Sequence, residues 1–400
     1  MTFILAGATY SENVGDGVIA ECLAWQLKQL GMKDIIFWDI AGRTGYGHRI
    51  VRHKGAAMAW LESLPVWLRP LVVGLAVVGM LLKGPVWRWW HLIQRGDVVI
   101  IGGGQLLQDI NLNFPIKLFC LALLARLKGA NVALYAVGVG NRWSWPARWM
   151  FGYVVRACQG VVMVRDEESR LRLATFLKMD IPIINVVPDP GLLAAGCYPD
   201  ATHNTKNRPK DSVGLNLSAP RELAMYVHQD IHLGVQHVSN IWLGFIEALV
   251  AEGRQIVIFT NGAEEDNAYA SNIYAQAIAR GLRKSITLAP FPVTPSDLAQ
   301  VISDMNVIIA HRLHANIVAF ALEVPSLALG WDSKLEAFTR MVGRTNAFLP
   351  VEQFAVQPML AVLKNVEEKG VSTKQRIALQ QQASDGVKTM LRALGVTPCV

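Results

Sequence analysis

The chain has 400 residues, of which 52% are hydrophobic and 17% are charged, and its formal net charge is +7. It is too apolar for a disordered protein and long enough for two buried cores. The five cysteines form no CxxC pair, so neither a disulfide framework nor a zinc knuckle is predicted. We expect a two-domain protein of the reducing cytoplasm.

Short apolar runs in the first half of the chain predict β-strands. The first run, residues 3–6, has no basic leader before it and no small-residue cleavage site after it, which favours a strand over a signal peptide. The other predicted strands of this half are 35–38, 98–101, 132–137, 161–164 and 183–187. Helices are predicted over 115–127 and 146–157, because each begins with a proline.

Residues 41–95, between the second and third predicted strands, carry the whole net charge. A single acid, Glu62, stands against eight basic residues: Arg43, Arg49, Arg52, Lys54, Arg69, Lys83, Arg88 and Arg95. The rest of the chain is therefore neutral, and nucleic-acid binding is not predicted.

This basic segment also contains five tryptophans, Trp60, Trp67, Trp87, Trp89 and Trp90. Its apolar run, 70–82, is shorter than the roughly 20 residues of a spanning helix. Tryptophans and basic residues around a short apolar run are typical of a segment that lies on an anionic membrane surface. We expect peripheral attachment to the inner face of the cytoplasmic membrane, with a core helix as the alternative.

A polar, irregular stretch over 196–211 predicts a linker. After it, apolar runs predict strands over 213–218, 255–260, 286–289, 306–310 and 326–330. Helices are predicted over 238–252 and 295–303, and residues 351–400 show only helical periodicity.

The alternation of strands and helices predicts an α/β fold with parallel sheets. We expect a GT-B-like architecture, in which two doubly wound Rossmann-like domains face each other across a cleft and a helical tail follows. The predicted parts are an N-terminal domain over 1–195, the linker, a C-terminal domain over 212–350 and the tail over 351–400. Such sheets bind ligands at the carboxyl ends of their strands.

Two glycine-containing motifs follow predicted strands. The first, NVGDG over 13–17, predicts a ligand contact by Asn13 or Asp16, with helix capping as the alternative. In the second, the consecutive glycines Gly102, Gly103 and Gly104 predict a loop that a substrate approaches closely, with a tight turn as the alternative.

Arg165 follows the predicted strand 161–164 and is a forked donor suited to a carboxylate or phosphate. A salt bridge to Asp189 or another nearby acid is the alternative.

The motif HRLHAN, residues 311–316, is the most informative, because it places His311, Arg312 and His314 at the start of a helix after a strand. One turn then combines an anion site with proton-transfer groups. Zinc binding by the two histidines and burial of the histidines in the core are the alternatives, and we predict no metal, since no carboxylate or cysteine adjoins them. Lys334, beyond the next strand, could reach the same anion.

The motifs NVGD, GGGQLLQD, VRDEES and HRLHANIVAF, followed by a strand that contains a proline and by Lys334, resemble in their order the polysaccharide pyruvyl transferase family. The resemblance spans residues 11–340, with Gly17 where the family usually has an acid. It implies transfer of the pyruvyl group of phosphoenolpyruvate to two hydroxyls of a sugar in a polysaccharide or its lipid-linked precursor. A pyruvate ketal forms, phosphate is released, and no cofactor is needed.

The resemblance also implies roles for the motif residues. His314 and Arg312 are the predicted catalytic residues, with His314 as general acid and base. Arg312, Arg165 and Lys334 would bind the carboxylate and phosphate of phosphoenolpyruvate, and His311 would orient His314 or the substrate. The acceptor sugar would contact Asn13, Asp16 and the loop over 102–104.

Two other functions remain open from the sequence, because a fold does not fix a function. One is a GT-B glycosyltransferase that uses a nucleotide sugar, and the other is a non-catalytic saccharide or membrane adaptor. For the transferase, we expect alanine at His314 or Arg312 to abolish turnover with little change in thermal stability.

Overall fold

The computed structural model describes residues 1–47, 60–61, 63–178, 184–203, 208–220, 234–331 and 333–398. The chain divides into two compact units. The first unit consists of 1–11, 19–190 and 382–400, and the second of 12–18 and 191–381. Each unit contains one parallel sheet of six strands.

The sheet of the first unit has the order β2-β1-β3-β4-β5-β6. Its strands are β1 (Phe3–Gly7), β2 (Ile35–Asp39), β3 (Val98–Gly102), β4 (Asn131–Val137), β5 (Val162–Val164) and β6 (Ile184–Val186). The central strands β3 and β4 are apolar except at Asn131, the first residue of β4, as expected where helices cover both faces of a sheet.

The helices that begin before residue 190 are α1 (Gly15–Gln29), α2 (Arg69–Lys83), α3 (Pro85–Leu92), α4 (Asn113–Leu127), α5 (Trp145–Ala157) and α6 (Glu167–Leu177). One core lies between the sheet and α2 to α6, and a second core lies between the sheet and α1. The C-terminal residues Val387, Met390 and Leu391 are buried in the second core. The end of the chain therefore belongs to the first unit.

The sheet of the second unit has the order β12-β11-β10-β7-β8-β9. Its strands are β7 (Ser212–Asn216), β8 (Gln255–Phe259), β9 (Ile286–Leu288), β10 (Val307–Ala310), β11 (Ser326–Gly330) and β12 (Phe348–Pro350). The remaining helices are α7 (Ala194–Cys197), α8 (Pro199–His203), α9 (Val235–Ala251), α10 (Glu264–Ala279), α11 (Pro295–Ser303), α12 (Leu313–Ala321), α13 (Ser333–Met341), α14 (Val356–Lys369) and α15 (Thr373–Ala393).

The predicted α/β class with two Rossmann-like domains is confirmed, and the predicted strands and helices match observed ones to within a few residues. Residue 183 of the predicted sixth strand and Arg49, Arg52, Lys54 and Glu62 of the basic segment lie outside the described residues. Strand β12 has no counterpart among the predictions.

The structure differs from the predicted domain boundaries in three places. The predicted tail, 351–400, is divided between the second unit, up to 381, and the first unit, from 382. Residues 12–18 and 191–195, assigned by the sequence to the N-terminal domain, belong to the second unit. The predicted linker, 196–211, contains α8, in which Ala201 is buried, and Thr202 Oγ1 donates a hydrogen bond to Ala195 O at 2.8 Å. The linker was predicted from polar composition alone, and composition carries no information about these local contacts.

Candidate active site

The carboxyl edge of the second unit's sheet brings together the ends of three adjacent strands. Asn216 is the last residue of β7, Asn261 follows β8, and His311 follows β10. Asn216 Nδ2 donates a hydrogen bond to Asn261 Oδ1 at 3.0 Å. Neither asparagine was predicted as a site residue. Each lies at the carboxyl end of a strand, which is also the position that identified the HRLHAN motif.

The segment over 12–18 packs directly on this edge. Val14 N donates a hydrogen bond to Asn261 O at 2.9 Å, and a Cβ placed on Gly15 would lie 2.7 Å from His314 Cβ. Glycine is therefore required at position 15 for the segment to approach this closely. Asn13 Oδ1 accepts a hydrogen bond from Gly15 N at 3.3 Å, so its side chain stabilises the turn that begins α1.

Asp16 and His314 face each other within the second unit. Their Oδ1 and Nδ1 atoms are 3.9 Å apart, and the His314 side chain is 8% exposed. His314 is the second residue of α12, and Asn316 Nδ2 fixes the turn before this helix by donating to Ala310 O at 3.2 Å and Arg312 O at 3.1 Å. A carboxylate at this distance stabilises an imidazolium that forms during proton transfer.

Arg312 is held by a buried carboxylate that the sequence analysis did not identify. Its Nε and Nη2 donate to Asp266 Oδ2 at 3.0 and 2.5 Å, and Ala219 N donates to Asp266 Oδ1 at 2.8 Å. The Asp266 side chain is fully buried, whereas 22% of the Arg312 side chain is exposed. The guanidinium is therefore fixed on one side and accessible on another.

His311 lies among aromatic side chains. Its ring centroid is 5.5 Å from that of Trp242, 5.0 Å from Trp331 and 5.8 Å from Phe354. Neither ring nitrogen has a hydrogen-bond partner among the described residues. That His311 orients His314 or the substrate stays a prediction. Helix α12 begins only at Leu313, and His311 and His314 therefore do not share a helical face.

The burial of His311 makes stability depend on pH. Burial and, to a smaller extent, the charge of Arg312 lower the pKa of His311 well below its ordinary value. The unfolded chain takes up this proton at a pH of about 6.5, whereas the folded chain does not. The contribution of uncharged His311 to the free energy of unfolding is therefore complete above this pH. It decreases by about 1.4 kcal/mol per pH unit as the pH falls below it.

We expect the variant His311→Phe to lose less unfolding free energy than the wild type when the pH is lowered from 6.5 to 5.5, by about 1 kcal/mol. Urea unfolding of both proteins at the two pH values measures this difference. Equal losses of unfolding free energy in the two proteins would show that His311 does not take up a proton on unfolding.

Several buried side-chain atoms at this edge have no hydrogen-bond partner within the part of the chain that the structure describes. They are Asn216 Oδ1, Ser218 Oγ, Asn261 Nδ2, both ring nitrogens of His311, and Asn316 Oδ1. Buried polar atoms nearly always have partners, including water or ligands. Their concentration here indicates a site that accommodates polar groups from solution.

Lys334 is the second residue of α13, which follows β11 beside β10 in the sheet. Its side chain is half-buried. The second unit thus contains six of the predicted site residues: Asn13, Asp16, His311, Arg312, His314 and Lys334.

The glycine loop and Arg165 belong to the first unit. Gly103 has a φ of +80°, and a Cβ there would lie 2.7 Å from Ile19 Cγ2; a Cβ on Gly102 would lie 3.1 Å from Tyr135 O. The positive φ of Gly103 and the close packing at both positions favour glycine there. The contact of this loop with a substrate stays a prediction. Gly104, with a φ of +65°, accepts a hydrogen bond from Gly138 N at 2.8 Å.

Arg165 is buried and packs on a neighbouring loop. Its Nε donates to Asp166 Oδ2 at 3.3 Å, and a Cβ on Gly138 would lie 2.7 Å from Arg165 Nη2. The ion pair with a nearby acid, considered as an alternative from the sequence, is thus present with Asp166. Gln105 Oε1 and Thr9 Oγ1 of the same unit are buried with no hydrogen-bond partner among the described residues.

A metal centre was not predicted, and no group of three or more His, Cys, Asp or Glu side chains in the described ranges is arranged to hold a metal ion.

The solved structures that are similar to this chain include two UDP-GlcNAc 2-epimerases. The UDP-GlcNAc 2-epimerase from Methanocaldococcus jannaschii matches with a TM-score of 0.60 and 13% identity over 98% of this chain and 100% of that chain. The enzyme from Neisseria meningitidis bound to UDP-GlcNAc matches with a TM-score of 0.56 and 11% identity over 98% and 99%. At these identities the likeness shows the fold alone, which is GT-B-like.

A comparison with curated proteins gives no match. The family model described as polysaccharide pyruvyl transferase matches residues 13–333. The match begins in the segment that carries Asn13 and Asp16 and extends beyond the HRLHAN motif, so it includes the whole candidate site except Lys334, which lies one residue past its end. The chain is an enzyme that belongs to the polysaccharide pyruvyl transferase family.

Proposed function

We propose that this enzyme transfers the pyruvyl group of phosphoenolpyruvate to two hydroxyls of a sugar in a polysaccharide or its lipid-linked precursor. In the balanced reaction, phosphoenolpyruvate and two hydroxyls give a cyclic pyruvate ketal and inorganic phosphate. The observation that carries the proposal is the Asp16 and His314 pair, which lies at a sheet edge with the fixed cation of Arg312 nearby.

His314 supplies the proton for the first step. The imidazolium protonates the methylene carbon of phosphoenolpyruvate, which makes the neighbouring carbon electrophilic, and a sugar hydroxyl then adds to that carbon. The C–O bond to phosphate breaks, and the second hydroxyl forms the second ketal bond. Neutral His314 takes up the proton of one hydroxyl, and the proton of the other leaves on the released phosphate. The carboxylate of Asp16, 3.9 Å from Nδ1, stabilises the imidazolium that results.

The anionic groups of the donor require cations. Arg312 and the amides at the start of α12 are suited to the carboxylate or the phosphate, because a guanidinium and a helix N-terminus both favour anions. Asp266 holds the guanidinium in one orientation before the substrate arrives. Lys334 supplies a further cation, and contacts of Arg165, Asn13 and the loop over 102–104 with substrate remain predictions.

The buried atoms without partners support a polar ligand at the same edge. Asn261 Nδ2 is a donor, while Asn216 Oδ1 and Asn316 Oδ1 are acceptors, and all three side chains are fully buried. Substrate oxygens and hydroxyls would satisfy these groups, whose desolvation is otherwise uncompensated.

The proposed reaction uses no metal or other cofactor, because protonation and hydroxyl addition are carried by histidine and arginine. We therefore expect activity to be unchanged after incubation with a chelator such as EDTA and removal of the chelate. Turnover that disappears on chelation and returns with a divalent cation would contradict this part of the proposal.

The experiment that tests the function compares two donors with the same acceptor. We expect inorganic phosphate to be released from phosphoenolpyruvate only when the acceptor sugar is present, and no nucleotide to be released from a UDP-sugar. Release of nucleotide would instead support the glycosyltransferase, and release of neither would support the non-catalytic adaptor. The control is the variant His314→Gln, which keeps a polar side chain but cannot exchange a proton in the same way.

A further inference from the structure

An apolar surface is exposed on two consecutive helices of the first unit. On α2, Leu71, Leu75, Val78 and Leu82 are 58%, 67%, 40% and 56% exposed, and their spacing of four, three and four residues places them on one helical face. On α3, Trp87 and Trp90 are 61% and 41% exposed. We call these six residues the α2–α3 surface.

The other side of the same helices is fixed to the protein core. On α2, Gly74, Val77 and Leu81 are buried, and a Cβ on Gly74 would lie 3.3 Å from Ile116 Cδ1 of α4. On α3, Trp89 is fully buried, with its ring centroid 5.7 Å from that of Trp38. The α2–α3 surface is therefore held rigidly outward by packing on its opposite side.

Basic residues border this surface. Lys83 and Arg88 are exposed on α2 and α3, which contain no acidic residue. Lys128 Nζ lies 4.7 Å from the ring centroid of Trp90, so a further cation borders the surface. Exposed leucines and tryptophans next to lysine and arginine are the combination that binds the headgroup and acyl boundary of anionic bilayers.

In the part of the chain that is described, no single helix has the length and hydropathy of a membrane span, while α2 and α3 together pass this test as a pair bent by 48°. Spanning would require lipid around the whole circumference of both helices. One side of each is instead occupied by core residues, which favours a surface that dips into one leaflet.

We propose that the α2–α3 surface docks on anionic lipid bilayers, with its leucines and tryptophans in the acyl boundary and Lys83, Arg88 and Lys128 at the headgroups. A second copy of the chain is a poorer occupant, because a symmetric contact would place the same basic residues of two copies against each other. This proposal does not depend on the proposed reaction, and a failure of one would leave the other unaffected.

Co-sedimentation with vesicles tests the docking. We expect the wild-type protein to bind vesicles of phosphatidylcholine with one-third phosphatidylglycerol more tightly than vesicles of phosphatidylcholine alone. Binding should weaken as salt is raised from 0.1 to 1 M, over which the Debye length falls from about 10 to about 3 Å. The variant Lys83→Ala with Arg88→Ala should bind about 25-fold more weakly, because each basic residue near the surface contributes about fivefold.

The apolar contribution is tested by the variant Leu75→Glu with Val78→Glu, which should no longer sediment with either vesicle. The matched control is Ile377→Glu on α15, where an equally exposed aliphatic side chain, 55% exposed, lies outside the surface; its binding should equal that of the wild type. Unchanged binding of the Leu75 and Val78 variant would overturn the proposal. Concentration-dependent dimers of the wild type that this variant abolishes would also overturn it, because the surface would then bind a second copy. Wild-type protein that resists alkaline carbonate extraction from membranes would overturn it as well, because the helices would then span the bilayer.

Discussion

Replacement of His314 with alanine or glutamine is expected to lower turnover by about 10²- to 10⁴-fold, the usual contribution of a general acid and base. The unfolding free energy should change by only about 1 kcal/mol, because His314 Nδ1 lies as far as 3.9 Å from Asp16 Oδ1. Alanine and glutamine are also both compatible with the helix α12. Steady-state rates of phosphate release and urea unfolding measure the two effects.

Asp16→Asn is the matched variant for the His314 prediction. It keeps the shape of the side chain and removes the charge that faces Nδ1, so we expect a smaller loss of turnover together with an altered dependence of kcat on pH. Wild-type turnover in His314→Gln would contradict the role of this histidine. A large loss of stability with residual activity would instead identify it as a core residue.

The variant Arg312→Ala is expected to lose both turnover and stability. The sequence suggested little change in stability, but the carboxylate of Asp266 is fully buried and accepts hydrogen bonds from two nitrogens of Arg312. Removal of one member of such a pair leaves a buried charge without compensation and costs about 3–5 kcal/mol. Urea unfolding and phosphate release check the two parts of the prediction.

The double variant Arg312→Ala with Asp266→Asn separates the two losses. The introduced amide keeps an oxygen for the hydrogen bond from Ala219 N and carries no charge, so most of the stability should return while turnover stays low. Arg312→Lys should remain impaired, since an ammonium does not reproduce the contact made by two guanidinium nitrogens. Equal stability of Arg312→Ala and the wild type would show that the pair contributes nothing to folding.

The sequence predicted the strands of both sheets well because parallel strands with helices on both faces are apolar along their length. It missed β12 (Phe348–Pro350), a strand of three residues that ends in proline, because so short a run has no periodicity. It also assigned residues 12–18 to the wrong unit. Their contacts with Asn261 and His314 join residues about 250 to 300 positions apart, which no local pattern records.

Only part of the candidate site was predicted from the sequence, because local patterns identify some of its residues and not others. The position after a strand and at a helix N-terminus identified His314 and Arg312. Asp266 was missed because it lies in the acidic first turn of α10, where acids are expected on account of the helix dipole. His311 was expected at the start of the helix, but the helix begins at Leu313 with Arg312 as its N-cap, so His311 precedes it.

The most direct test of the account is the reaction carried out in D₂O with phosphoenolpyruvate and the acceptor sugar, with the product analysed by mass spectrometry. The methylene carbon of the donor has two hydrogens, and we propose that the third hydrogen of the product methyl group comes from His314, whose proton exchanges with solvent. The account predicts a ketal with one deuterium in its methyl group and one phosphate released per ketal. A ketal without deuterium in that methyl group, or release of nucleotide from a sugar donor in place of phosphate, would contradict it.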